Sequence, residues 1–178
     1  IFNMLILGLT GSTGVAAYGV VANLSLVGMA IMNGMAQGVQ PLISESFGKG
    51  AFDDVKKLLH WGLTCVVAIE IIMVALVWSF TDPFISVFNS ENNQLLLEYA
   101  HVGLRLYFLG FLFAGVNIVL VAYFSATANA RPAIIGSLLR GAVAIAVCAI
   151  VLAKLLGMNG VWLSFLASEM LTFVVILI

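Results

Sequence analysis

The sequence predicts an all-α integral membrane protein: a polytopic helix bundle with five full transmembrane helices and the end of a sixth. Of its 178 residues, 63% are hydrophobic, whereas soluble proteins contain roughly 45–50%. Only seven Lys or Arg and eight Asp or Glu are present, which is 8% of the chain instead of about 25%. So few charges cannot solvate a soluble globule of this size. The composition excludes a soluble enzyme, a nucleic-acid-binding protein and a disordered chain.

The charges are spaced so that long stretches carry none or only one. Residues 1–44 contain no charged side chain. Each run reaches the roughly 20 apolar residues that cross a bilayer, and none alternates like a strand of a membrane barrel. We therefore expect one transmembrane bundle over residues 1–178. It consists of a stub at 1–9 and helices near 14–46, 56–81, 95–127, 132–155 and 159–178.

The chain opens and closes inside hydrophobic runs. It starts on Ile1, with neither an initiator methionine nor the basic region of a signal peptide. We expect an excerpt of a longer protein, and processing or trimming would give the same pattern.

The loops predict an orientation. Simple alternation puts the loops at 48–57 and 128–131 on one side of the membrane. They carry four basic residues, against one, Lys154, in the two loops of the other side. Since basic residues favour the cytoplasmic side, we expect both of these loops to be cytoplasmic.

Chemistry-bearing motifs are scarce, which argues against an enzyme. Cys65 and Cys148 both fall inside predicted spans, where thiols serve as small apolar fillers. His60 and His101 fall near opposite membrane faces and cannot share a site. The sequence contains no HExxH, Walker A, GxGxxG or paired CxxC motif. We expect no enzymatic activity, no cofactor and no metal centre.

The first full helix carries a polar stripe. Asn33, Gln37, Gln40 and Ser44 follow spacings of four, three and four residues, which place them on one helix face. The stripe either forms hydrogen bonds to a neighbouring helix or lines a polar cavity. If it lines a cavity, Asn33, Gln37 and Gln40 are candidates for contact with a substrate.

Small residues and a proline accompany this stripe. Gly34 and Gly38 form a GxxxG pair, which permits close helix packing, and Pro41 interrupts the hydrogen-bond ladder. These three residues either support packing or give the helix room to bend, and Pro41 favours bending.

Four ionisable side chains lie deep in the predicted spans. Counting from the loop centres puts Glu70 at the depth of Arg105, and Arg140 close to the depth of Glu169. Charges in lipid are costly and seek partners, so we predict two structural ion pairs. The alternative is that Glu169 or Glu70 titrates during transport.

Two polar residues of the third full helix, Asn117 and Tyr123, are further candidates for contact with a substrate. They follow an aromatic run at 107–113. Such a wall suits bulky amphipathic ligands, but the same residues also form ordinary packing or lipid-facing surface.

Seven runs, in order, carry a family resemblance. They are Gly14–Asn23, Gln37–Ser44, Phe47–Gly50, Gly103–Phe108, Tyr123–Thr127, Ser137–Gly141 and Gly157–Leu163. Together they resemble the multidrug and toxic compound extrusion (MATE) transporters, most closely the bacterial MepA-type branch. The likeness covers essentially the whole chain.

The resemblance implies a twelve-helix transporter with two six-helix lobes, of which this chain is most of the C-terminal lobe. Such a protein exports small cationic or amphipathic drugs in exchange for H⁺ or Na⁺ by alternating access. Its partners are membrane lipid, the drugs, the coupling ion and the missing N-terminal lobe, with no nucleic acid. Its location is the bacterial cytoplasmic (inner) membrane, which it crosses several times.

The resemblance also bears on the coupling ion. Other branches carry an acidic residue at the position of Ala114, so this chain departs from their second-lobe cation site. Coupling then falls either to the missing N-terminal lobe or to Glu169, Glu70 or Glu45 of this chain. Two alternatives are a lipid-linked saccharide flippase of the same superfamily and a membrane scaffold that associates through Gly34 and Gly38 without transport.

Overall fold

A computed structural model describes residues 2–89 and 92–178 and confirms the all-α class. Ile1, at the start of the predicted stub, lies outside this range. The helices are α1 Phe2–Gly48, α2 Phe52–Ser79, α3 Thr81–Ser86, α4 Gln94–Phe108, α5 Phe111–Ala126, α6 Ala130–Leu138, α7 Ala144–Leu156 and α8 Met158–Leu177. A π-helical turn, Leu139–Val143, joins α6 to α7.

α1 is 47 residues long and contains a break. At Gly11 the backbone has φ 70° and ψ −160°, a conformation that glycine adopts without the steric cost of a side chain. The break falls between the predicted stub at 1–9 and the predicted helix at 14–46. Farther along, Pro41 lies inside the helix, where its missing N–H leaves one carbonyl without its usual partner.

The prediction of one continuous helix over 95–127 is wrong. α4 and α5 meet at a break and are bent by 41°. The bend packs closely on α8, because a Cβ at Gly110 would lie 2.4 Å from Cδ1 of Phe165 and 3.0 Å from the backbone nitrogen of Leu166. Within the described residues, α1, α2, α6–α7 and α8 are each long and apolar enough to cross a membrane, and the bent pair makes a fifth span if counted as one.

α5 lies at the centre of the bundle and packs against α1, α2, α6 and α8. Its side chains are apolar nearly all round, which is typical of a helix without a solvent-facing side. Phe111, Ala114 and Val119 are fully buried in the main core. Any polar group on α5 must therefore find its partners inside the protein.

Two smaller apolar clusters mark the two ends of the bundle. Ile43, Val55 and Ala126 meet at one end, so the connections that follow α1 and α5 lie on the same side. Ile6 and Val161 meet at the opposite end. Both loops predicted to be cytoplasmic, 48–57 and 128–131, thus lie at one end of the bundle, and their cytoplasmic orientation remains a prediction.

Candidate functional site: two buried carboxyl groups beside the central helix

Glu70 lies on α2, and its carboxyl group reaches the backbone of α5. Its Oε1 accepts hydrogen bonds from the N–H groups of Gly115 at 2.7 Å and Val116 at 3.2 Å. The residue is only 1% exposed. Both N–H groups belong to the second turn of α5, which begins at Phe111.

The other oxygen of this carboxyl group, Oε2 of Glu70, is buried and has no hydrogen-bond partner among the described residues. The predicted pairing with Arg105 is wrong. Nη2 of Arg105 instead donates to the carbonyl of Trp78 at 3.5 Å, and Nε1 of Trp78 donates to the carbonyl of Arg105 at 3.2 Å. Trp78 lies eight residues beyond Glu70, or about 12 Å along the helix axis.

The connection between α2 and α4 is not a simple symmetric loop, so residues at equal distances in sequence from its centre do not lie at equal depths. In the structure the short helix α3 interrupts this connection and packs against α4. Arg105 is consequently level with the last turn of α2, whose carbonyls have no partner within the helix. Its side chain serves as a C-terminal cap there.

We expect Arg105→Ala to have a small effect. It removes one exposed contact to a helix end, which is worth about 0.3–1 kcal/mol. The free energy of unfolding of the full-length protein in detergent should fall by no more than that, and the environment of Glu70 should not change. A loss of unfolding free energy as large as that expected from breaking a buried ion pair would instead support the predicted pairing of Arg105 with Glu70.

The second buried carboxyl group belongs to Glu169 on α8, which is 3% exposed. Nδ2 of Asn117, a fully buried residue, donates to Oε2 of Glu169 at 2.7 Å and to the backbone carbonyl of the same residue at 2.9 Å. Nε of Arg140 lies 3.1 Å from the same Oε2. The structure thus brings Arg140 and Glu169 together, as the sequence predicted, with Arg140 on the π-helical turn.

The polar stripe of α1 faces away from the described bundle. Asn33, Gln37 and Ser44 are exposed and Gln40 is half-buried. Nδ2 of Asn33 bonds to the carbonyl of Met29 in its own helix at 2.9 Å. The stripe is therefore available to line a cavity or to meet a partner outside the described residues.

Gly34 and Gly38 do not pack helices together within the described part of the chain. A Cβ built on either glycine meets no atom within 4 Å. The packing and bending alternatives for this pair both stay predictions, because only contacts within the described residues are compared. They share the exposed side of α1 with Pro41.

The remaining candidates lie apart from the two buried carboxyl groups. Tyr123 packs with the end cluster of Ile43 and Val55 and is about two helix turns from Asn117. Glu45 is exposed near the end of α1 and pairs with Lys49. Neither belongs to the centres around Glu70 and Glu169.

Sequence reasoning missed the role of Gly115. A Cβ on this residue would lie 2.6 Å from Oε1 of Glu70, 2.6 Å from Cγ2 of Val66 and 2.7 Å from Sδ of Met32. Only glycine lets the Glu70 carboxyl group reach the helix backbone. A glycine inside an apolar helix was the available signal, but the sequence has many such residues and does not say which one meets a carboxyl group.

Comparison with known proteins gives the family. The MatE family model matches residues 1–155. The chain belongs to the MatE family. The MATE resemblance inferred from the sequence is thereby confirmed.

Similar proteins extend this assignment of the family. The chain is 29% identical to the multidrug export protein MepA of Staphylococcus aureus (strain NCTC 8325 / PS 47) over 163 residues, which is 90% of the chain and 35% of that protein. MepA of strain N315 is similar to the same extent. The chain thus spans about a third of the length of these curated relatives.

Solved structures show the same fold. One described as the outward-facing conformation of a multidrug resistance MATE family transporter has a TM-score of 0.89 at 18% identity, over 98% of this chain and 39% of that one. Another, a transporter of the MOP superfamily from Pyrococcus furiosus described as having a binding pocket of reverse polarity, has a TM-score of 0.88 at 18% identity. The match covers 98% of this chain and 39% of the Pyrococcus furiosus chain.

Proposed function

We propose that this MatE chain is the C-terminal lobe of a multidrug antiporter in which Glu70 binds and releases the coupling proton. The observation that carries the proposal is the buried Oε2 of Glu70, which has no partner within the described chain. An isolated carboxylate is costly inside a membrane, whereas a protonated carboxyl group carries no charge. A group in this position gains or loses its proton when its surroundings change.

The surroundings of Glu70 favour a proton over Na⁺. Hard cations need several oxygen ligands, but Oε1 of Glu70 faces two N–H donors. Apolar atoms of Val66 and Met32 lie against the same place, next to Gly115. Burial among apolar atoms disfavours an unpaired charge on this carboxyl group, and the described residues provide no cage of oxygen ligands for a metal ion.

The other two acidic candidates fit the coupling role less well. Glu169 has Arg140 as a resident counter-ion, and Glu45 is exposed beside Lys49. Neither has a free oxygen in the protein interior among the described residues. Glu70 is therefore the residue to test first.

The exposed stripe of α1 is proposed to form part of the drug path. It offers the amide groups of Asn33 and Gln37 on a face that no described residue covers. Amides bind by hydrogen bonding without charge, so this lobe would recognise polar groups on a drug and leave its positive charge to other parts of the transporter. The proposed orientation puts the loops at 48–57 and 128–131 in the cytoplasm.

The test is ethidium efflux from cells that express the full-length gene. We expect efflux that stops when the proton gradient is collapsed, because export is driven by proton entry. Glu70→Gln should abolish gradient-dependent efflux, since glutamine has the same shape but cannot carry the proton. The matched control Glu98→Gln changes an exposed glutamate of α4 and should transport normally.

Two results would contradict this proposal. If Glu70→Gln transports like the control, the proton is carried elsewhere. If the full-length protein shows no gradient-dependent efflux, the alternatives of a lipid-linked saccharide flippase and a non-transporting scaffold take precedence.

A further inference from the structure

The centre around Glu169 contains one buried polar atom that its ion pair does not explain. Nδ2 of Asn117 faces two acceptors, the carboxylate and the backbone carbonyl of Glu169, which fixes the orientation of the amide. Its Oδ1 is then left buried without a hydrogen-bond partner among the described residues. Unpaired buried acceptors are costly, so this oxygen calls for an explanation.

The oxygen atoms of this centre are of the type that binds cations. The carboxylate of Glu169 and the amide oxygen of Asn117 are hard donors, which suit ions such as Na⁺, whereas the backbone carbonyl of Glu169 already accepts a hydrogen bond from Nδ2 of Asn117. At present the only positive charge within contact distance of the carboxylate, in the part of the chain described, is the guanidinium of Arg140 at 3.1 Å.

The geometry of Arg140 matches the role of a resident cation. Its side chain is 15% exposed, and it enters from the π-helical turn between α6 and α7. It neutralises a carboxylate that is otherwise buried against α5. π-Helical turns of this kind are rare and frequently lie at functional positions.

We propose that the guanidinium of Arg140 occupies a binding site for a small monovalent cation that Glu169 and Asn117 form. With Arg140 in place the site is filled and exchanges no ion. Without the guanidinium the same oxygens bind a free cation, such as guanidinium or Na⁺. This goes beyond the proposed function, because it concerns Glu169 and not the proton at Glu70, and it is tested by stability instead of transport.

The energetics of the pair make this site measurable. Removing Arg140 leaves an uncompensated buried carboxylate, which strongly destabilises a protein. A cation that binds in the vacated space stabilises only the folded state, so the apparent melting temperature rises with its concentration. Wild-type protein has no vacancy and should not respond.

The experiment uses the purified full-length protein in detergent. Melting curves of wild type, Arg140→Ala and Arg140→Lys are recorded with rising low-millimolar guanidinium chloride or with NaCl, choline chloride keeping the ionic strength constant. Arg140→Ala should melt at a lower temperature and regain several degrees with guanidinium or Na⁺, in a saturable manner. Wild type and Arg140→Lys, which keep a tethered cation, should show no such gain.

Two double variants identify the ligands. Arg140→Ala with Glu169→Gln removes the charge of the site and should lose the response to cations. Arg140→Ala with Asn117→Leu removes the unpaired oxygen and should need several-fold more cation for the same shift. If Arg140→Ala cannot be purified, Arg140→Gln provides the same vacancy with less loss of packing.

Three results would overturn the proposal. One is a saturable Na⁺ response of the wild-type protein, which would mean that Arg140 does not fill the site. Another is a response of the Glu169→Gln double variant equal to that of Arg140→Ala. The third is a variant without the guanidinium that regains stability only on acidification, which would show that Glu169 takes a proton instead of a cation.

Discussion

Breaking the Arg140–Glu169 pair from either side is expected to cost about 3–5 kcal/mol of unfolding free energy, because one charge is then left buried without a partner. Replacing both residues with methionine should cost less than either single change, since no charge remains and apolar groups fill the space. The measurement is unfolding of the full-length protein in mixed micelles. The two single variants and the double variant form a double-mutant cycle.

The exposed pair of Glu45 and Lys49 is the matched control for this cycle. These side chains are 62% and 67% exposed, and pairs of this kind contribute about 0.2–1 kcal/mol. If the single variants at Arg140 and Glu169 lose no more unfolding free energy than those at Glu45 and Lys49, the Arg140–Glu169 ion pair does not stabilise the protein as proposed.

The class of fold was predictable because it depends on properties that add up along the chain. Hydrophobic runs, and the lack of charge between 1 and 44, are enough to require helices in lipid. The contact of Arg140 with Glu169 could also be anticipated. A tight turn after α7 makes α7 and α8 neighbours, so the number of residues from the turn gives the approximate depth of Arg140 and of Glu169 in the membrane.

The partners of Glu70 could not be predicted by counting residues from a loop. Its partners are backbone N–H groups of Gly115 and Val116, and because every residue except proline carries such a group, they leave no mark in a sequence. The break between α4 and α5 was also invisible, because a bend that is packed on Phe165 depends on tertiary contacts and not on local composition.

Both buried carboxyl groups contact the same short segment of α5. Gly115 and Val116 donate to Glu70, and Asn117, the next residue, donates to Glu169. Among the described residues, Glu169 has the cation of Arg140 beside it and Glu70 has no ion-pair partner. A displacement of α5 would alter both contacts together, so residues 115–117 form the physical link between α2 and α8.

Gly115→Ala is expected to have the second large effect. The new methyl group would lie 2.6 Å from Oε1 of Glu70 and 2.6 Å from Val66, so the carboxyl group must leave the two N–H donors. Overpacking of this kind costs about 1–3 kcal/mol, and the displaced carboxyl group must find new partners. We expect lower stability and loss of proton-driven ethidium efflux by the full-length protein.

Gly19→Ala in α1 is the matched control, because a Cβ there meets no atom within 4 Å. Alanine is favoured over glycine in helices by about 1 kcal/mol, so this variant should be as stable as wild type or slightly more stable, with efflux intact. The comparison separates helix propensity from the Glu70 contact. If Gly115→Ala kept both stability and gradient-dependent efflux, the backbone contact of Glu70 would be dispensable, and the proposed proton site would have to be placed elsewhere in the transporter.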